Sequence, residues 1–262
     1  MGGKSVFAKT RYFIIDMDGT FYLSGSLISG SVDFIDKLLS TGRDYCFFTN
    51  NSSNNVAVCC DKLQKMGFPV GEDKIIISTF VAADYINSRY PGASVYLLGN
   101  ERLRNDMIKA GVKLTEDEPD IVLLGFDTTI TYEKIHKASR YIAGGCVYLA
   151  THPDVNCPTA DGFMPDAGSF IELFYTSTGR RPVVLGKPET PTVDYITRHF
   201  ACGRDEIAFV GDRLATDIAI GMNHSIPCAL VYSGVTDEKE YMSSPIKADI
   251  AVKNLKELSF YI

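Results

Sequence analysis

Two carboxylates one residue apart are the feature of this chain best able to do chemistry. Residues 13–20 read FIIDMDGT, so Asp16 and Asp18 directly follow a short apolar run. Such a run is typical of a parallel strand covered on both faces, and ligands bind just beyond the carboxyl ends of these strands. Two acids this close repel each other unless a cation or a division of roles accounts for them. A plain Asp-Gly turn is the alternative interpretation.

Two other predicted strand ends carry groups that suit an anion. Thr49 and Asn50 follow the apolar stretch at residues 45–48. A hydroxyl beside free backbone N–H groups can cradle a phosphate, although a helix cap is the alternative. Lys187 precedes Pro188, which suits the first turn of a helix. The helix dipole disfavours a cation there, so Lys187 either meets an anion or is a surface residue.

A fourth strand end supplies more negative charge. The sequence GDRLATD sets Asp212 and Asp217 around a predicted strand-to-helix turn, where acids can also be simple caps. Several carboxylates, a Thr and a Lys are thus expected to converge at one edge of a parallel sheet. Mg²⁺ binds one or two carboxylates together with a phosphate oxygen, and Lys adds positive charge. The set predicts a phosphoryl-transfer site, because this chemistry depends on neutralising and positioning phosphate.

The elements that must position these residues alternate along the whole chain, which predicts α/β architecture with mainly parallel strands. Strands are predicted at residues 13–15, 45–48, 95–98, 121–125, 146–150, 183–185, 207–210 and, as the last, 229–232. Helices are predicted at 31–39, 56–66, 101–110, 132–142, 188–200 and 217–222. Residues 152–168 are predicted to form a long irregular loop, and such loops are often functional.

Composition narrows the class of protein. The 262 residues carry a net charge of −6, which disfavours a nucleic-acid surface or a membrane surface as partner. The seven Cys form no CxxC pair and no cluster with zinc-site spacing, which indicates reduced thiols in the cytosol. No signal-peptide core and no run of transmembrane length is present, so a cytoplasmic location is expected. A monomer and a homodimer both remain open.

With these motifs in view, the chain resembles the haloacid dehalogenase (HAD) superfamily of hydrolases, and within it the NagD-like phosphatases with a type IIA cap. The matching pieces are DMDGT at 16–20, FFTNNSS at 47–53, GKP at 186–188 and GDRLATDI at 211–218. The resemblance implies a Rossmann-like core with a parallel sheet and a second, inserted α/β cap domain. It also implies a phosphatase that uses Mg²⁺.

The resemblance implies a role for each matching residue. Asp16 would be the nucleophile that forms an aspartyl-phosphate, and Asp18 the general acid and then the base. Thr49 and Lys187 would hold the phosphoryl group and its charge. Further contacts to the phosphate would come from Met17, Asn50 and Asn51. The Mg²⁺ ligands would be Asp16, Asp212 and the carbonyl of Asp18, with Asp217 either on the metal, behind its ligands or orienting Lys187.

The spacing of the motifs also predicts an insertion. Too many residues separate Thr49 from Lys187 for one crossover, so we expect a core at residues 1–79 and 182–262 and an inserted cap from about Phe80 to Arg181. Within the cap, residues 152–168 are the candidate for substrate contact, through Asp154, Asn156 and Asp161. A solvated structural loop is the alternative.

Two residues in this segment depart from the pattern of the relatives. They commonly have TNPD and PGxGS where this chain has THPD at 151–154 and PDAGS at 165–169. His152 is read as a plain loop residue, with a contact to phosphate as the alternative. Asp166 adds a carboxylate where the relatives have Gly, which makes their substrates a poor guide for this chain.

These features predict a phosphatase acting on a small-molecule phosphomonoester, and the resemblance implies that the substrate is of the sugar phosphate or nucleoside monophosphate type. A phosphotransferase or phosphomutase could use the same aspartyl-phosphate, provided that water is excluded from it. A phospho-receiver or slow-turnover phosphoester sensor is a third possibility. A receiver, however, needs neither a cap nor the general acid Asp18.

Overall fold

A computed structural model describes residues 6–159 and 162–262. Asp161, one of the predicted substrate contacts, lies outside the described residues. The described part divides into two compact units. The first contains the residues up to Thr49 together with Ala57–Ile76 and Val193–Ile262, and the second contains Asn50–Val56 and Ile77–Thr192. Among the described residues, no helix combines the length and the apolar character needed to cross a membrane.

Strands and helices largely alternate through the described residues, as predicted. The strands are β1 (Tyr12–Ile15), β2 (Tyr22–Leu23), β3 (Ser26–Leu27), β4 (Asp44–Thr49), β5 (Ile75–Ile77), β6 (Ser94–Leu98), β7 (Lys113–Leu114), β8 (Ile121–Leu124), β9 (Val147–Ala150), β10 (Asn156–Thr159), β11 (Gly162–Pro165), β12 (Val183–Val184), β13 (Ile207–Gly211), β14 (Cys228–Val231) and β15 (Ile250–Val252). The helices are α1 (Ser31–Ser40), α2 (Val56–Lys65), α3 (Ser78–Arg89), α4 (Glu101–Lys109), α5 (Tyr132–Ala143), α6 (Ala167–Thr178), α7 (Thr190–His199), α8 (Ala219–His224), α9 (Glu238–Ser243) and α10 (Leu255–Leu258).

One sheet carries the Asp motifs. Its strand order is β15-β14-β13-β1-β4-β5, and β1 pairs in parallel with both β13 and β4. Ile14 and Phe47 are fully or almost fully buried because these strands are apolar on both sides. Phe47 also meets Phe21 edge-on, with ring centroids 4.7 Å apart. The sheet is therefore a rigid base for the residues that follow its strand ends.

The second unit has its own parallel sheet and its own core. The strand order is β12-β9-β8-β6-β7, and β6, β8 and β9 pair in parallel. Side chains of these strands pack with α5 and α6 in one apolar cluster that includes Leu98, Val122, Ile142 and Phe174. The predicted α/β class with parallel sheets is confirmed in both units.

The main correction concerns residues 152–168, whose described part contains two short strands and the start of a helix and is not an irregular loop. Residues 156–165 contain the antiparallel pair β10 and β11, with Asn156 opposite Pro165, and α6 begins at Ala167. Pro158, Gly162 and Pro165, which had indicated a loop, lie in these short strands, and Gly168 lies in the first turn of α6. Pro is tolerated at the edge of a sheet, and a two-stranded ribbon consists only of edges.

Other elements were placed wrongly or missed. Strand 229–232 is not the last, because β15 follows it. Pro188 does not occupy the first turn of a helix, since Lys187 and Pro188 lie in a turn and α7 begins at Thr190. Strand β5 and helix α3 adjoin without an intervening turn, so their apolar residues show neither period clearly.

Candidate active site

The carboxyl end of β1 places Asp16. Ile15, the last residue of β1, lies opposite Val210 of β13 and Phe47 of β4. The backbone N–H of Asp16 donates to the carbonyl of Val210 at 2.8 Å, which extends the pairing by one residue. The carboxyl ends of β1, β4 and β13 therefore lie at the same edge of the sheet, where a ligand site is expected in a parallel sheet.

Three carboxylates meet at this edge. Asp16, Asp212 and Asp217 each offer an oxygen, and these oxygens lie within 4.8 Å of one another. Asp212 is fully buried and Asp217 almost so, whereas Asp16 is half-buried. All three belong to the first unit. Like charges this close inside a protein favour a cation between them.

The surroundings of Asp212 hold its carboxylate in one orientation. Oδ1 accepts a hydrogen bond from the hydroxyl of Thr20 at 3.0 Å, and Oδ2 accepts from the backbone N–H of Val235 at 2.7 Å. Burial and, to a smaller extent, the Asp217 carboxylate raise the pKa of Asp212 to about 6, against the opposing effect of these two hydrogen bonds. A positive ion bound at the cluster would offset the free-energy cost of keeping Asp212 negatively charged.

Glycines make the close approach to these carboxylates possible. Gly19 has φ +86°, and a Cβ added there would lie 2.5 Å from Oδ2 of Asp212. Added Cβ atoms at Gly234 and Gly211 would lie 2.0 Å from Asp212 Oδ2 and 2.2 Å from Asp217 Cγ. A side chain at any of the three would fill the space around the cluster.

Asp217 reaches the cluster from a π-helical turn, Leu214–Ile218, that precedes α8. Single π turns occur frequently at functional sites. Its Oδ2 accepts a hydrogen bond from the backbone N–H of Arg213 at 3.1 Å. The donor set is thus made of oxygens only, three of them from carboxylates in a space kept open by glycines. Such a set fits a hard divalent cation such as Mg²⁺ or Ca²⁺.

The Asp18 carboxylate is not a member of this cluster. Its side chain is 61% exposed, and its Oδ2 lies 3.2 Å from Nζ of Lys62 on α2. The same Nζ lies 4.1 Å from the ring centroid of Tyr22, which is a cation–π distance. The two acids of the DMD motif therefore have different environments, as a division of roles requires.

The remaining predicted residues have varied surroundings. Met17 is buried, and Thr49 ends β4 in the first unit. In the second unit, Asn51 Oδ1 accepts hydrogen bonds from the N–H and hydroxyl of Ser53, at 3.0 and 2.7 Å. Asn156 is exposed on β10.

Of the predicted site residues, the structure brings together Asp16 of the first Asp motif with Asp212 and Asp217 of the second, within one unit.

Asn50, Asp154 and Lys187 form a second group, within the second unit. The side chain of Asn50 donates to Oδ2 of Asp154 at 2.7 Å and to the carbonyl of Lys187 at 3.0 Å. Both Asn50 and Lys187 are buried. The structure thus links a predicted substrate contact to two residues of the phosphate-binding motifs.

His152 is not the plain loop residue that was predicted, because its side chain is fully buried. Its Nε2 lies 2.8 Å from Oδ1 of Asp166, and its Nδ1 lies 2.8 Å from the hydroxyl of Thr151. Asp166 also caps α6 by accepting from the N–H of Ala167 at 2.6 Å. The two departures from the relatives' pattern therefore contact each other.

Sequence reasoning did not assign functions to Thr20, Val235 or Lys62. Thr20 and Val235 hold Asp212, and Lys62 pairs with Asp18. Thr20 stood in the DGT motif and could have been found as a hydroxyl next to the acids. Val235 acts through its backbone, which leaves no signal in the residue type.

The family model of the haloacid dehalogenase-like hydrolases matches residues 13–113, and a second, HAD-hydrolase-like model matches residues 184–258. Together these two stretches cover more than half of the chain and include all three acids of the cluster. The chain belongs to the haloacid dehalogenase-like hydrolase family.

Similar proteins place this hydrolase in the NagD-like branch. It is 33% identical to the acid sugar phosphatase of Staphylococcus epidermidis over 244 residues, and this stretch covers 93% of this chain and 94% of the relative. The crystal structure of the 4-nitrophenylphosphatase of Thermotoga maritima has a TM-score of 0.94 and 40% identity, over 97% of this chain and 98% of that one. NagD of Escherichia coli K-12 has a TM-score of 0.88 and 26% identity, over 95% and 98%. The chain is a HAD phosphatase, a phosphoric monoester hydrolase.

Proposed function

We propose that this HAD phosphatase hydrolyses a small-molecule phosphomonoester of the sugar phosphate or nucleoside monophosphate type, with Mg²⁺ and through an aspartyl-phosphate on Asp16. The observation that carries the proposal is the cluster of Asp16, Asp212 and Asp217. The name of the acid sugar phosphatase that the chain resembles supports a sugar phosphate as substrate.

The residues around the cluster suit a divalent cation, with Asp16, Asp212, Asp217 and the carbonyl of Asp18 as its candidate ligands. When bound, the cation neutralises the negative charge of the phosphoryl group and of the acids beside it. Thr20 and the N–H of Val235 hold the Asp212 carboxylate in one orientation. Preorganised ligands of this kind need no rearrangement during the reaction.

The reaction then proceeds in two steps on the protein's own groups. A carboxylate oxygen of Asp16 attacks phosphorus, the bond from phosphorus to the leaving oxygen breaks, and Asp18 gives its proton to that oxygen. Water next attacks the phosphorus of the aspartyl-phosphate and passes a proton to Asp18, which releases phosphate and regenerates Asp16. We assign Thr49 and Lys187, with the backbone near Met17, Asn50 and Asn51, to holding the phosphoryl group.

The inserted unit is proposed to act as the α/β cap that selects the leaving group. Segment 152–168 remains the candidate for substrate contact, with Asp154 and Asn156 as hydrogen-bonding residues. Asp154 Oδ2 already accepts a hydrogen bond from Asn50, so a substrate hydroxyl would have to use its other lone pairs. A cytoplasmic location is part of the proposal and is supported by the seven Cys, none of which forms a disulfide bond in the structure.

Release of inorganic phosphate tests the proposal. The full chain would be incubated with sugar phosphates, nucleoside monophosphates, pyridoxal phosphate and glycerol phosphate, with Mg²⁺ or with EDTA. We expect release from at least one class, abolished by EDTA and restored by excess Mg²⁺. Undiminished rates in EDTA would overturn the metal assignment. Consumption of substrate without phosphate release would indicate a phosphotransferase or phosphomutase instead.

A further inference from the structure

The side-chain amide of Asn50 is hydrogen-bonded to both backbone polar groups of Lys187. The backbone N–H of Lys187 donates to Oδ1 of Asn50 at 3.0 Å, and Nδ2 of Asn50 donates to the backbone carbonyl of Lys187 at 3.0 Å. This reciprocal pair resembles the exchange of hydrogen bonds between two residues of neighbouring strands. It fixes the backbone of Lys187 although 137 residues separate it from Asn50 in sequence.

The rest of the Asn50 amide is also used by the protein. An amide NH₂ group has two hydrogens, and the second bond of Nδ2 goes to Oδ2 of Asp154 at 2.7 Å. Both donors of the side chain therefore have partners within the second unit. The side chain is 8% exposed, and a polar group this buried is costly to leave without partners. The amide thus holds protein groups in place and has no hydrogen left to give to a ligand.

The neighbours of this amide are arranged to admit it. A Cβ added to Gly186 would lie 2.7 Å from Oδ1 of Asn50 and 2.5 Å from the carbonyl oxygen of Thr151. Only Gly at this position therefore lets the next residue, Lys187, reach the amide. On its other side the backbone of Asn50 is held by Ser78, whose hydroxyl donates to the Asn50 carbonyl at 2.7 Å.

We propose that the side chain of Asn50 is a positioning residue for Lys187. By hydrogen bonding to both backbone polar groups of Lys187, it fixes the point from which the side chain with the ammonium group extends. Asp154 keeps the Asn50 amide in the required orientation. Because Asn50 follows Thr49 directly in the chain, the backbone of Lys187 is tied to the residue next to a proposed phosphoryl contact. The inference rests on the proposed function, in which Lys187 neutralises the phosphoryl charge.

A double-mutant cycle tests the inference with 4-nitrophenyl phosphate as the probe. The variants are Asn50→Ala, Lys187→Ala and the double variant. Ser78→Ala is the matched control, because it also deletes one buried hydrogen bond to Asn50 but leaves the amide intact. We expect kcat to fall about a hundredfold or more in both single variants, as for other lost electrostatic contacts to a reacting group. We expect Ser78→Ala to stay within about threefold of wild type, and the double variant to be no slower than Lys187→Ala.

The outcomes separate this inference from the function on which it rests. If Lys187→Ala keeps the wild-type kcat, the proposed role of Lys187 is wrong and the positioning role is lost with it. If Lys187→Ala is impaired while Asn50→Ala is not, or if Asn50→Ala costs the same factor in both backgrounds, only the positioning role is overturned. If Asn50→Ala does not fold, as judged by thermal unfolding, Asn50→Ser completes the same cycle, because its hydroxyl is too short to bond both backbone groups of Lys187.

Discussion

At the scale of single residues, Asp212 combines two demands that oppose each other. It is fully buried beside Asp217, which disfavours its charged form, yet a cation site requires that charge. The Thr20 hydroxyl and the Val235 N–H relieve part of the conflict by donating to its two oxygens. The remainder of the cost should be measurable in the metal-free protein.

Replacing Asp212 by Asn should remove a pH-dependent loss of stability from the metal-free protein. The folded-state pKa of Asp212 is raised from 3.8 to about 6, so the folded state binds the proton more tightly than the unfolded state does. The stability of the wild type relative to Asp212→Asn should therefore fall as pH rises from about 4 to 6, by on the order of 3 kcal/mol, and then level off. Urea unfolding of both proteins in EDTA at several pH values measures this.

The same unfolding experiment in the presence of Mg²⁺ should favour the wild type over the variant. A cation that binds only the folded protein stabilises it, so Mg²⁺ should stabilise the wild type at pH 7.5 and leave Asp212→Asn unchanged. Equal stabilisation of the two proteins would contradict the assignment of Asp212 as a ligand. A stability difference that does not vary with pH would contradict the raised pKa.

The exposed position of Asp18 leads to a prediction about leaving groups. Replacing Asp18 by Asn should lower kcat/KM for alkyl phosphates by about 10²–10⁴, the usual contribution of a general acid. The loss should be much smaller for 4-nitrophenyl phosphate, since 4-nitrophenolate leaves without a proton. Steady-state kinetics on both substrates measure the two ratios. Equal losses on the two substrates would remove the acid role from Asp18.

At the scale of elements, the turn after β1 is shaped by the acids that it approaches. Gly19 and Gly25 have similar left-handed φ values, +86° and +80°. They differ in their neighbours, because a Cβ at Gly19 would strike Asp212 whereas a Cβ at Gly25 would meet nothing within 4 Å. This pair separates backbone strain from crowding of the cluster.

Gly19→Ala should abolish most of the phosphatase activity and weaken Mg²⁺ binding, while Gly25→Ala should keep both. Each variant carries the same kind of backbone strain, on the order of 1 kcal/mol, and Gly19→Ala should lose more thermal stability in EDTA because its Cβ also crowds Asp212. Phosphate release and the stabilisation by Mg²⁺ are the measurements. Similar activities for the two variants would show that the close approach to Asp212 has no part in the reaction.

The sequence predicted those strands and helices whose apolar residues have one clear spacing and whose ends are marked by polar or turn residues. The buried strands before Asp16, Thr49 and Asp212 were found because their apolar runs are short and end in polar residues. β5 and α3 were missed because they adjoin without a turn, and β10 and β11 because Pro and Gly in a two-stranded ribbon read as a loop. His152 was misread because only tertiary structure brings Asp166 to it, 14 residues along the chain.

At the scale of the whole molecule, one sheet presents Asp16, Asp212 and Asp217 together although nearly 200 residues separate the first two. The sequence could predict their convergence because parallel strands share one edge for their carboxyl ends. It could not predict the hold on Asp212 by Val235 or the amide link between Asn50 and Lys187. Those contacts depend on backbone groups and on the folding of distant loops, neither of which the residue types reveal.

The central claim is that a carboxylate oxygen of Asp16 attacks phosphorus, and the Asp16→Asn variant tests it most directly. Phosphate release from 4-nitrophenyl phosphate would be followed for the full-length wild type and variant in saturating Mg²⁺, with thermal unfolding to establish that both are folded. We expect the variant to lose activity by at least about 10⁴-fold, because an amide in place of the carboxylate cannot form the aspartyl-phosphate. A folded Asp16→Asn protein that retains a tenth of the wild-type kcat would contradict the claim.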